Sequence, residues 1–544
     1  MKKYIFPLAF AALTASMASC DDFLDQYSQD LVVAKSVQDL NELLIGDVYL
    51  RSHTVDRGMS QGVYGFVNLL DDDINTVGTK NQGNIADIAW SSVVQPMYGY
   101  FTWQQDVRYN YGATSNVEDN TTWNRLYNRI ANANNIIDII DEMPRNTDDE
   151  KSLYHRVKGE AYFLRGQFYF ALANLYGHAY RPDSAATDLC VPLKLTPNVE
   201  HDKAKETQFS RASVKQVFDQ IVEDLTLAQK ELTLSPQVDR YRLHRASAEA
   251  VGVLLSRVHL YRQDWAAAET AAKAVIESPY CHLASIAEMQ KGTPILNEIN
   301  REILFSQGAN FIAAKNEKTS LSAQPGDFCV SRDLYDSYSE FDVRRNAFFA
   351  PNASSDSIRL TNKYQRGLEL NHISDAFALR ASEAYLNYAE ACAMQGKETE
   401  ANEALGILRK ERIADYAATP YAGAALVQEI REERRRELCF EGHRWFDLRR
   451  YQENKAYPFT KNIVHEYHAY SNNNSYVTSH KFILRPGDGA YTFAIPAKAI
   501  EFDRVPMTNN IRPKREEEKI TPPLVIPDLG DGDDTDDTDD TENP

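Results

Sequence analysis

Cysteine is scarce: six in 544 residues, and after Cys20 the remaining five (Cys190, Cys281, Cys329, Cys392 and Cys439) are nowhere closer than 47 positions. That spacing excludes CxxC redox centres and zinc ribbons, and an odd number of widely separated thiols predicts no disulfide framework. Long apolar runs are also missing beyond the first twenty residues, so no later segment has the roughly 20 apolar residues that a membrane-spanning helix needs. Nor is there a basic stripe. The formal net charge is -19, and binding to nucleic acid draws its affinity from clustered Lys and Arg; nucleic acid is therefore excluded as a partner. Neither HExxH nor a P-loop occurs. GMSQG at 58–62 fits G-x-S-x-G, but RSHTVDR before it is no buried strand, and a nucleophile elbow must follow one.

The chain does hold a lipoprotein-type export signal over residues 1–19. Lys2 and Lys3 precede a mostly apolar run from Tyr4 to Met17, followed by Ala18, Ser19 and Cys20. A run of this length with basic and small-residue flanks is a secretion signal. The cysteine resembles the acylated first residue of bacterial lipoproteins, and several acyl chains would hold the protein stably at a membrane. Asp21, Asp22 and Asp25 directly behind it resemble a surface-export tag of Bacteroidetes lipoproteins.

Two segments share a helix-turn-helix template: AEAVGVLLSRVHLYRQDWAAAETAAKAVIESP from 248, turning near Gln263, and ASEAYLNYAEACAMQGKETEANEALGILRKER from 381, turning at Gly396. Ser256 precedes Ala268 by the same interval that separates Ala389 from Ala401. Small side chains there permit close approach of paired helices, the signature of tetratricopeptide repeats. Apolar spacings of three and four predict further helices over 123–143, 153–176 and 214–232. The intervening stretches at 44–120, 178–210, 280–376 and 455–510 cannot be helical throughout, and loops this long are usually functional. Tyr491–Pro496 alternates as a strand does. From about Pro513 the chain becomes polar, and Asp531–Pro544 holds eight acids and no base. The region 513–544 is expected to be a disordered tail, because it has too little apolar content to offset the entropy of ordering it. It lacks the spacing of a calcium loop.

RRRELCFEGHRWFDLRR, residues 434–450, concentrates six arginines. A helix from about Ala425 carries Arg434 on its apolar stripe, ended by Gly442; a shorter one follows from Arg444 and buries Trp445 and Leu448. An arginine in such a stripe must be paired, and Glu437 and Glu441 are the candidates on its own face, with His443 and Asp447 around the break. Glu437 and Glu441 are also one helical turn apart, as a retaining glycosidase pair would be. Adjacent guanidinium groups lower a carboxyl pKa, however, whereas a general acid needs it raised. A structural corner is therefore expected, with no catalytic residue.

For ligands, the richest stretch runs from Trp90 to Trp123. Trp90, Tyr98, Tyr100 and Trp103 supply flat faces, with Arg108 and Asn110 interleaved, and Asp72 and Asp73 just upstream could accept hydroxyl groups or cap a helix. A less dense candidate is the loop from Tyr457 to Tyr476 with SNNNS.

Taken in chain order, EAYFLRGQFYFALANLYG (160–177), DLYDSYSEFDVRR (333–345), FALRASEAYLNYAEACAMQG (377–396), ERRRELCFEGHRWFDLRR (433–450) and AIPAKAIEFDRVPMTNN (494–510) resemble the SusD/RagB family of Bacteroidetes outer-membrane lipoproteins. The resemblance runs from Cys20 to about 510 and leaves the acidic tail unmatched. It implies a mostly α fold, an α-α superhelix of about four tetratricopeptide-like helix pairs with a loop-rich ligand-binding half and minor β structure, over residues 20–512 (an N-terminal part to about 210, a C-terminal part from 211). It further implies a lipid-anchored protein at the cell surface, without enzymatic activity or cofactor, that delivers an oligosaccharide to a SusC-like TonB-dependent transporter. A peptide-binding, RagB-like role is the alternative, and a surface glycoside hydrolase a more distant one.

Overall fold

The computed structural model describes residues 34–51, 64–76, 79–80, 97–110, 113–114, 121–197, 209–235, 243–312, 328–352, 355–364, 373–470, 476–502 and 505–520. After α1 (Val37–Leu43) and α2 (Tyr98–Phe101) come the long helices: α3 (Thr121–Ile139), α4 (Asp148–Tyr176), α5 (Val214–Leu234), α6 (Ala248–Arg262), α7 (Trp265–Ile276), α8 (Ala381–Met394), α9 (Glu398–Lys410), α10 (Gly423–Leu438) and α11 (Arg444–Gln452). Their starts are written locally. Thr147 and Ser213 each accept a hydrogen bond from the third backbone N–H of the helix that follows, and the residue there bonds back, closing capping boxes at α4 and α5.

Each long helix from α3 to α9 packs on its sequence neighbour, and α8 also meets α6, α7 and α10, giving a mostly α, tetratricopeptide-like superhelix. The small residues at the repeat positions lie at these seams. Ser256, Ala268, Ala389 and Ala401 are wholly buried, and a Cβ on Gly252 would stand 2.6 Å from Cγ2 of Val275 on the facing helix. Gln263 and Gly396 take the left-handed conformation at the two turns, φ 62° and 73°.

The strands are short: β1 (Ile74–Thr76), β2 (Thr79–Lys80), β3 (Tyr109–Asn110), β4 (Ala113–Thr114), β5 (Ile303–Ser306), β6 (Phe328–Val330), β7 (Phe349–Asn352), β8 (Ser355–Thr361), β9 (Ala378–Arg380), β10 (Ile463–Tyr470), β11 (Tyr476–Leu484) and β12 (Glu518–Ile520). The largest sheet has the order β12-β11-β10-β2; the others are two-stranded. Among the described residues no helix is long and apolar enough to cross a membrane.

Three local expectations need correction. Tyr491–Pro496 joins no ladder: after a 3-10 turn at Gly489–Tyr491, the N–H of Phe493 donates to Leu175 O and that of Ile495 to Asn509 Oδ1. The arginine-rich helix stops at Leu438 rather than Gly442, because Phe440 already takes φ 59°. Gly442 makes a second left-handed turn, with its Cβ position 3.3 Å from Cα of Ala376. Finally, ordered contacts continue past 513: Arg515 donates to Ile483 O and Asp488, and β12 pairs with β11.

Candidate functional site

The arginine-rich corner is buried and paired, but not with the partners expected. Arg434 donates to Asp447 Oδ2 on α11 (2.8 Å) and to Asn387 Oδ1 on α8 (2.7 Å), not to Glu437 or Glu441. Its third donor, Nη2, faces Nδ1 of His443 at 3.2 Å, so that nitrogen accepts. Burial, reinforced by Arg257 and Arg434, keeps the His443 pKa well below its usual value. Glu437 instead accepts from three guanidinium groups, those of Arg344 (2.9 Å), Arg380 (3.0 Å) and Arg412 (2.8 Å). Glu441 accepts from Arg380 (2.7 and 2.8 Å) and from the fully buried Lys363 (2.5 Å). Burial pushes both carboxyls up, but these cations outweigh it and hold Glu437 well below the carboxylate range and Glu441 below it. Asp447 is bonded by Arg450 as well as Arg434, and Trp445 stacks on Tyr491 with ring centroids 4.8 Å apart. Neither Glu437 (0% exposed) nor Glu441 (3%) presents a face to solvent.

Asp72 and Asp73, expected to meet a ligand, are tied to this corner instead. Asp72 accepts two bonds from Arg444 (2.7 and 2.9 Å) and one from Lys461 (2.7 Å); Asp73 accepts from Arg435 (2.7 Å). Asp71 accepts the Asp73 N–H, and burial together with Asp73 and Asp72 drives its carboxyl well up. One carboxylate oxygen from each of the three lies within 4.8 Å of the others. Arg435, Arg444 and Lys461 already supply the positive charge that a metal ion would bring, so the residues do not fit a cation site.

The aromatic cluster is likewise turned inward, which corrects a second expectation. Trp103 is wholly buried, Tyr98 and Tyr100 nearly so, and a ring without exposed faces cannot serve as a sugar platform. Trp103 adopts φ 51°, and its indole N–H donates to Leu70 O (3.0 Å). His465 of β10 is sandwiched between Phe101 (centroids 4.0 Å) and Trp103 (4.4 Å), with its ring nitrogens 2.6 Å from Phe101 O and 2.8 Å from Asp71 O. Arg108 is on the surface, bonded to Asp106 (2.8 Å). Trp90, Cys20 and the side chain of Asn110 lie outside the described residues, as do 58–62 and SNNNS.

Several strand ends lie along β10, in two neighbouring sheets. Thr76 of β1 is opposite Phe328 of antiparallel β6, so the chain leaving 76 and the chain entering 328 share an end. Lys80 of β2 is opposite Tyr470 of parallel β10, so the chains leaving 80 and 470 share an end. The two pairs meet through Thr76, whose hydroxyl donates to Glu466 O (3.1 Å), and Asn75, whose Oδ1 accepts from Glu466 N (3.3 Å). Residues 81–96, with Trp90, and 471–475 leave from the Lys80–Tyr470 pair, and 313–327 enters at Phe328, opposite Thr76. Sequence reasoning missed this juxtaposition because a two-residue strand leaves no periodic signal. It also missed Lys363 and Lys461, which nothing in their neighbourhoods marks.

Residues 57–260 match a family model described as "Starch-binding associating with outer membrane", and residues 350–506 match the SusD family model. A SusD-like protein of Formosa agariphila is 24% identical over 307 residues, 55% of this chain and only 50% of that relative's length. Among solved structures, a SusD superfamily protein of Bacteroides vulgatus superposes with a TM-score of 0.65 at 21% identity, covering 88% of this chain and 100% of that one. A SusD-like carbohydrate-binding protein of the same organism gives 0.63 at 20%, covering 87% and 99%. With two family models of the SusD type matched in order over 57–260 and 350–506, the chain belongs to the SusD/RagB family.

Proposed function

We propose that this protein is a nutrient-binding lipoprotein of the outer membrane, anchored through Cys20 and exposed at the cell surface. It captures an oligosaccharide and passes it to a SusC-like TonB-dependent transporter. The observation that carries the ligand half of this reading is the edge formed by Thr76, Lys80, Phe328 and Tyr470. There, the chain continues from Lys80 into the segment bearing Trp90 and from Tyr470 into the amide-rich SNNNS. A sugar ring needs a flat apolar face and surrounding hydrogen-bond partners, and these segments contain both residue types.

Binding rather than catalysis is the consistent role. The carboxylate pair one helical turn apart in the sequence, Glu437 and Glu441, is ion-paired, buried and shifted away from the pKa of a general acid. The anchoring and the transporter partner rest on the lipoprotein signal and on family membership. A glycan array probed with the full chain tests the ligand class. Binding to at least one oligosaccharide, weakened in Trp90→Ala, is expected; silence on every glycan beside binding to a peptide library would overturn the reading in favour of a peptide carrier.

A further inference from the structure

A cavity of about 320 Å³ has none of its lining residues on β1, β2, β6, β10 or β11. It is framed by the C-terminal end of α5, the approach to α6, the segment after α7 and the loop leading into β5. Its volume falls at the small end of ligand pockets. The floor is apolar and buried: Leu232, Leu243, Ala246 and Ile303. The rim carries the polar His282, Glu298 and Arg301 beside the exposed Ile299.

At the mouth stands Tyr280, 51% exposed, with no ring stacked on it among the described residues. Its position is built rather than incidental. Ser278 Oγ donates to Glu249 on α6 (2.9 Å) and accepts from Tyr280 N (3.3 Å), so the segment is tied to a helix start. The opposite wall is fixed in the same manner: Asn300 donates to Ile295 O (2.8 Å) and accepts from Glu302 N (2.9 Å). Glu298 stands 3.7 Å from His244, and His282 3.8 Å from Glu288, which places charged and imidazole groups around the opening.

We propose that this cavity is a second carbohydrate subsite, taking one or two pyranose rings with a C–H face on Tyr280 and hydroxyl groups on Glu298, His282 and Arg301. The assignment rests on the carbohydrate reading above and extends it: one glycan chain, or two, is held at two separate places. An exposed tyrosine beside carboxylate, imidazole and guanidinium groups suits a ligand that is apolar on its faces and hydroxylated at its edges. An apolar peptide side chain would use the floor and leave that rim idle.

The test is hydrogen–deuterium exchange and calorimetric titration of the full chain with maltohexaose, cellohexaose, laminarihexaose and mannohexaose, in wild type, Tyr280→Ala and Trp90→Ala. The expected result is that a hexasaccharide that binds also slows exchange over 279–282 and 298–304. That protection should vanish in Tyr280→Ala, with affinity weakened roughly tenfold, and persist in Trp90→Ala at saturating sugar. Binding that is lost in Trp90→Ala yet unaltered in Tyr280→Ala, without protection at 279–282, overturns the second site while leaving the carbohydrate reading intact. Absence of binding by all four sugars overturns both. Protection of 298–304 by a casein peptide digest and by no sugar assigns the cavity to peptide side chains, against the proposal.

Discussion

At the scale of single residues, the corner around Glu437 is decided by electrostatics. Three guanidinium groups converge on one fully buried carboxylate, and removing it leaves part of their charge uncompensated, since only Asp342, Glu433, Glu302 and Glu441 remain to them, in a medium that solvates it poorly. Glu437→Gln should therefore lower the unfolding free energy by about 3–5 kcal/mol, read by urea denaturation. A neutral polar site would lose far less.

Asp375 gives a pH signature. It is wholly buried and accepts the Ile312 N–H; burial outweighs that bond and pushes its carboxyl up to about 7. The native state then keeps its proton up to about pH 7, while the unfolded chain releases it near pH 4. The protonated carboxyl contributes stability that is full below about pH 4 and is lost as pH rises toward 7, up to about 4 kcal/mol. The stability difference between wild type and Asp375→Asn should fall over that range, as measured by denaturation at pH 5 and pH 8; a constant difference would contradict the shift.

Elements were legible where one residue's neighbours in sequence are also its neighbours in space. The helices follow from three- and four-residue spacing plus the capping residues Thr147 and Ser213, and the repeat from the small residues at Ser256 and Ala389. Burial direction was not legible in the loops. Trp103, Tyr98 and Tyr100 occur among glutamines and an arginine, a composition that suits a surface; which way they face was settled by distant rings, His465 for Trp103, Phe482 for Tyr98, and Phe66 and Phe493 for Tyr100. The same holds for Arg434, whose partners are on α8 and α11. Intrahelical spacing named Glu437 because it cannot see a neighbouring helix. Gly252 illustrates the seam between α6 and α7: Gly252→Val must push Val275 aside and should cost about 1–3 kcal/mol, seen as a lowered melting temperature. No loss of melting temperature would mean that the helices can part freely.

For the whole molecule, the structure divides labour between a buried ionic corner that fixes α8, α10, α11 and the 71–73 turn to one another and an edge along β10 where strand ends of two sheets lie side by side. The corner was legible as architecture from composition and charge. The edge was not, since it arises from pairings between residues hundreds of positions apart, Lys80 with Tyr470 and Thr76 with Phe328. The most direct test of this division measures oligosaccharide affinity and thermal stability together in Trp90→Ala and Glu441→Gln. Trp90→Ala should bind more weakly with its melting temperature unchanged, and Glu441→Gln should melt earlier yet bind with wild-type affinity per folded molecule. The reverse pattern, with binding lost in folded Glu441→Gln and kept in Trp90→Ala, would contradict the account.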